Sequence, residues 1–122
     1  MIMLAHDVKQ EALRLRRAIE EISVEVWTVA SGLPRDEVTT KVVSRRLILM
    51  VTMVDDPLRL EVFRAVRQAA RVYSETSDVL HGRTRGSRFR GVQVEEWEAD
   101  LLRLEALWAP LKQDFSGAAR EI

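Results

Sequence analysis

The chain has no cysteine, which excludes disulfides and thiolate metal sites. His6 and His81 are its only imidazoles, so a histidine-based structural metal site is not expected either. No apolar run approaches the roughly 18 residues of a membrane-spanning helix. Asp7 and Lys9 follow the first apolar residues too closely for the layout of a secretory signal, so the sequence reads as cytoplasmic and without membrane contact. Neither a GxxxxGK phosphate loop nor a GxGxxG turn occurs, and no cofactor is expected. Net charge is also missing, since 19 basic residues balance 19 acidic ones. Lysine is scarce as well: only Lys9, Lys41 and Lys112 stand beside sixteen arginines. A zero sum argues against a uniformly basic surface, so any polyanion contact must come from where the arginines are placed.

What is present is the composition of a folded helical domain. With 122 residues, 47% hydrophobic and 31% charged, a single domain over residues 1–122 is expected. Leu4, Val8, Ala12, Leu15, Ile19, Ile22, Val26 and Val29 recur every three or four positions, which predicts a long helix over about 5–31. Within it Ser23 to Val29 alternates like a strand, but the helical spacing runs on unbroken. Gly32 and Pro34 end that helix, and Pro34, Asp36 and Glu37 open a second one expected over 35–54. From Leu47 to Val54 only Thr52 is polar, so this half should be the most enclosed part of the fold, or else a dimer contact. Asp55 as N-cap and Pro57 in the first turn begin a third helix, 57–81, with Val62, Val66, Ala69, Ala70, Tyr73 and Leu80 on its buried side. A fourth helix, 93–109, carries Val94, Trp97, Leu101, Leu104 and Trp108, and Pro110 bends or ends it before a tail at 112–122. The expected fold is all-α, a four- to five-helix bundle with long antiparallel helices.

Two groups of arginines stand out. Arg64, Arg67 and Arg71 are three and four residues apart and form a ridge on the third helix away from its apolar stripe. Glu95, Glu96, Glu98 and Glu105 of the last helix could neutralise that ridge. In the loop 82–92, Arg83, Arg85, Arg88 and Arg90 lie among Gly82, Gly86 and Gly91 with Phe89 between them, and no acidic residue falls between Asp78 and Glu95. Glycines let backbone amides approach an anion, guanidinium forks bind phosphate, and an aromatic ring stacks on a base. A merely basic surface loop and an acidic protein partner are the competing readings of this segment.

Ser77 lies one turn before His81, but residues of one helix turn do not supply an orienting third group and an oxyanion hole, so a serine nucleophile is not expected. The string Ser77-Asp78-Val79-Leu80-His81-Gly82-Arg83, at the end of a long helix that follows a helical hairpin, resembles the His-Gly end of HEPN domains. The resemblance implies a small, often dimeric all-α bundle of defence systems, with metal-independent RNA cleavage in active members and His81 as the matching histidine. Where that family carries an arginine shortly before the histidine, this chain has Ser74, Glu75 and Thr76. In size and in its arginine ridge the chain is also similar to small helical subunits of CRISPR effector complexes. The function expected is therefore a non-catalytic nucleic-acid-binding or scaffold subunit, RNA before DNA, in a homo-oligomer or larger complex. A HEPN-type ribonuclease using His81 and a dimeric protein-interaction module are the alternatives.

Overall fold

Helix α1, Ala5–Ser31, is the rod against which every other element packs. The structure is a computed structural model that describes residues 5–37, 42–82 and 91–120. Along α1, Val8, Ala12, Leu15, Ile19, Ile22 and Val26 are buried, at the alternating spacing of four and three that keeps one stripe of a helix facing a core. Ser23 belongs to the same buried side, and the strand-like stretch around it is helical. The helix stops where Gly32 takes a φ of +73°, a left-handed conformation that only glycine adopts at little cost. There the Ser31 hydroxyl accepts the Leu33 N–H at 3.2 Å while donating to the Trp27 carbonyl at 2.7 Å.

The second expected helix is not one helix. After a single 3-10 turn at Arg35–Glu37, a short α2, Val43–Leu47, passes directly into a 3-10 helix, Ile48–Met53. Val42, Val43, Ile48, Val51, Thr52 and Val54 explain this: β-branched side chains lose rotamer freedom in an α-helix, so burial rather than propensity sets the local shape. Three residues per turn bring Leu47 and Met50 to the same side, where both are fully buried between α1 and α3. Only Ile48 of this stretch is exposed among its large apolar residues, so the surface suggested for a dimer contact is mostly occupied within the chain.

Arg46 makes the same segment polar at one buried point. It is 6% exposed, and its Nη1 donates to the Ser23 hydroxyl at 2.9 Å, which in turn donates to the Glu20 carbonyl at 2.6 Å. A charged fork is thereby held inside the bundle, as burial of a charge requires.

Helix α3 runs Asp56–Leu80, with Asp55 as an extended N-cap whose side chain makes no capping bond; its carbonyl instead accepts the Leu58 N–H at 2.9 Å. Its buried side is turned relative to the sequence reading. Val62, Ala65, Val66, Ala69, Val72, Thr76 and Val79 are buried, while Ala70, Tyr73 and Leu80 are only half covered. Thr76 fits because its hydroxyl donates back to the Val72 carbonyl at 2.7 Å, leaving no polar group unpaired.

Helix α4, Gly91–Arg120, does not end at Pro110. A proline removes one backbone donor and crowds the preceding turn, worth about 3 kcal/mol in an isolated helix. Here Trp108 before it is buried, Leu111 after it packs on the core, and Lys112 Nζ reaches both Glu25 carboxylate oxygens at 3.0 Å, so the helix is pinned to α1 on both sides of the proline. Arg14–Glu98 and Glu25–Lys112 show α1 and α4 running in the same direction. Gln68–Arg103 and Glu75–Trp97 show α3 and α4 running oppositely. The three long helices thus touch pairwise around one core, and the segment 42–55 covers the groove between α1 and α3. Among the described residues there is no strand, and no helix is long and apolar enough to cross a membrane.

Because Met50 fills the core and Ile48 does not, Met50→Ala should lower stability by about 2–5 kcal/mol. Ile48→Ala should change it by under about 1 kcal/mol in the same urea titration. Equal losses would mean that the 3-10 segment is not seated as described.

Candidate nucleic-acid interface

The outer face of α3 is set by the geometry of its inner one. With Val62, Ala65, Ala69, Val72 and Thr76 inside, residues 60, 63, 64, 67, 68 and 71 lie on the opposite side of the helix. Arg64, Arg67 and Arg71 are accordingly all exposed, and so are Leu60 at 57% and Phe63 at 38%. These residues and Gln68 border a shallow groove of about 500 Å³. It continues toward α4 past Pro57, Glu61 and Arg103.

The three arginines differ in what holds them. Arg64 makes no hydrogen bond, ion pair or ring contact with a described residue. Arg67 lies over the Phe63 ring with its guanidinium carbon 5.8 Å from the centroid, a cation–π contact that orders the side chain without neutralising it. Arg71 has a carboxylate, Glu75, but at 3.4 Å, and Glu75 is already committed: its other oxygen accepts the Trp97 indole N–H at 2.6 Å and the Gln93 amide at 3.3 Å.

Two of the acidic residues of α4 face away from this side: Glu98 pairs with Arg14 on α1, and Glu105 lines the groove between α1 and α4 beside Trp108 and Lys112. Asp100 comes within electrostatic range of Arg71 and Arg103, with Glu96 also near it. Burial holds the Asp100 carboxyl above the usual carboxylate range, while Arg71 and Arg103 pull it back down.

Arg103 had no signal of its own in the sequence. Its Nη1 reaches the Gln68 amide oxygen at 3.5 Å, so the antiparallel register of α3 and α4 adds it to the basic side. Phe63 and Leu60 were overlooked as well, although neither fits the buried stripe and both share the helix face of the arginines. Arg83, Arg85, Arg88, Phe89 and Arg90 lie outside the described residues.

A second polar group gathers where α3 ends. His81 is exposed, and its backbone N–H closes the helix on the Ser77 carbonyl at 2.9 Å. One turn earlier, the Ser77 hydroxyl accepts from Arg16 Nε at 3.2 Å, and the Arg16 guanidinium lies 5.1 Å above the Tyr73 ring. Arg16 comes from α1, so nothing in the local sequence of α3 announces it. Among the described residues no group of three or more His, Cys, Asp or Glu is placed to hold a metal ion. Comparison of the chain with protein-family models, with curated proteins and with solved structures finds no match.

The shift at Asp100 has a definite sign. A native pKa raised above the unfolded value means that ionised Asp100 opposes folding near neutrality, a penalty relieved as pH falls through the native pKa. Asp100→Asn should therefore leave the melting temperature unchanged or higher near pH 7. The difference from the parent protein should shrink as pH falls through the native pKa and vanish only below the unfolded value of about 3.9, where the carboxyl is protonated in both states. Destabilisation near pH 7 would mean that Arg71 and Arg103 outweigh burial.

Proposed function

We propose that the chain is a non-catalytic nucleic-acid-binding subunit that contacts the phosphate backbone through Arg64, Arg67 and Arg71, with Arg103 beside them. The observation that carries this reading is that Arg64 and Arg67 have no carboxylate partner among the described residues, although α4 is rich in glutamate. Three exposed guanidinium groups within about 10 Å along one helix, bordered by a groove, suit a line of phosphates better than a single small anion. RNA is the first polymer to test, following the resemblance of the helical layout to HEPN domains. A role as scaffold within a larger complex is compatible with the same surface.

If arginine–phosphate contacts carry affinity, the logarithm of the binding constant falls linearly with the logarithm of salt concentration. Arg64→Gln with Arg67→Gln should weaken binding to labelled RNA and make that slope shallower by about 0.7 per arginine removed. Binding whose salt slope is the same in parent and double variant removes this face from the interaction.

The Arg16–Ser77 contact favours one other reading, a metal-independent ribonuclease in which His81 acts on phosphate chemistry, because it brings a guanidinium to the turn before His81. Purified protein incubated with RNA in excess chelator should then cut, and His81→Ala should abolish the cutting. Equal cutting by both, or none by the parent, ends that reading.

A further inference from the structure

We infer that the α3 outer face takes single-stranded rather than duplex nucleic acid, with Phe63 and Arg67 as a platform for a base and Arg64 and Arg71 for the flanking phosphates. This rests on the polyanion reading of the same face and goes beyond it in naming the form of the polymer.

Phosphate binding alone leaves two exposed apolar side chains on this face without a role. Leu60 is 57% exposed and Phe63 38% exposed on the same side of α3 as the arginines, whereas a helix that only met a phosphate backbone would gain nothing from either. At 100° per residue the face is also divided. Phe63 lies along one edge, Arg64 and Arg71 lie along the other, and Leu60 and Arg67 lie between them. One edge is aromatic and the other cationic, side by side along the same stretch of helix. That is the layout of an unpaired strand, which shows bases on one side and phosphates on the other.

Phe63 is already part of a stack. The Arg67 guanidinium lies 5.8 Å from its ring centre, and both a guanidinium plane and an aromatic ring stack on nucleobases. The contact holds the two groups ordered before any base arrives, which reduces the entropy lost on binding. A duplex could meet Arg67 with a phosphate but has no free base to set against the Phe63 ring. Its bases are stacked on one another, and the major groove of A-form RNA is too deep and narrow for a helix to read. Nor does α3 stand clear of its neighbours, because Arg103 of α4 lies alongside it. Charge complementarity favours nucleic acid over an apolar protein surface here, since Arg64 and Arg67 would be desolvated against such a partner without a counter-charge.

The test is fluorescence anisotropy of the full chain with a labelled, unstructured oligouridylate and with a duplex of equal length, each over a range of salt. The single strand should bind more tightly. Phe63→Ala should weaken it by about tenfold or more while keeping its salt slope, and should narrow its advantage over the duplex. Phe63→Trp, which keeps a stacking ring at an exposed position, should preserve the preference. Equal or tighter duplex binding, or an Ala variant that binds the single strand as the parent does, overturns the single-strand inference and leaves the salt-dependent polyanion contact standing. Absence of binding to either polymer overturns both.

Discussion

The indole of Trp97 and the carboxylate of Glu75 fix more of this molecule than any other pair. Trp97 is 1% exposed, and whereas the buried indole N–H groups of Trp27 and Trp108 have no hydrogen-bond partner among the described residues, its own has Glu75 at 2.6 Å from across the α3–α4 seam. The bond sets the register of two antiparallel helices. It turns Val72, Thr76 and Val79 inward, and it thereby turns Arg64, Arg67 and Arg71 outward. It also draws toward the core a carboxylate that could otherwise have closed fully on Arg71, a four-residue neighbour on the same helix. One hydrogen bond thus shapes both the packing of the bundle and the charge of its surface.

Charge neutrality is reached unevenly. Three charged residues of α1 are paired with elements that pack beside it: Arg14 with Glu98, Glu21 with Arg35, and Glu25 with Lys112. The Arg35 pair is bidentate, and its hydrogen bonds hold the Glu21 carboxyl below the usual carboxylate range. Such exposed pairs add little to stability, with typical values of about 0–1 kcal/mol. Their effect is on distribution, because they engage Glu21, Glu25 and Glu98 along α1, away from the outer face of α3. The formal sum of zero therefore hides a basic stripe on α3.

Much of the architecture was legible in the sequence. The stripe of α1 could be read residue by residue, because a long helix with one buried face gives a periodic signal and Gly32 marks its end. The second helix was misread because an apolar run rich in β-branched residues looks enclosed in any local conformation, and what shapes it is the space between α1 and α3. The buried side of α3 is turned because Thr76 looks polar yet is buried, its hydroxyl bonding to its own backbone, while Tyr73, whose hydroxyl suits the edge of a core, is half covered with Arg16 on its ring. Pro110 was read as a terminus because its cost is local, while the contacts of Trp108 and Lys112 that offset it come from a distant helix. Arg64, Arg67 and Arg71 were legible as a ridge. Arg103, Arg16 and the buried Arg46–Ser23 contact were not, since each depends on which helix lies beside which.

The Glu75 carboxylate touches Arg71 with one oxygen and Trp97 with the other, so it links an exposed cation to a buried chromophore through a single side chain. An anion drawn to Arg71 relieves Glu75 of a positive neighbour and alters the electric field at the indole ring, whose emission responds to such fields. Of the three tryptophans, Trp97 is thus the one joined to the basic face, through two contacts of a single carboxylate.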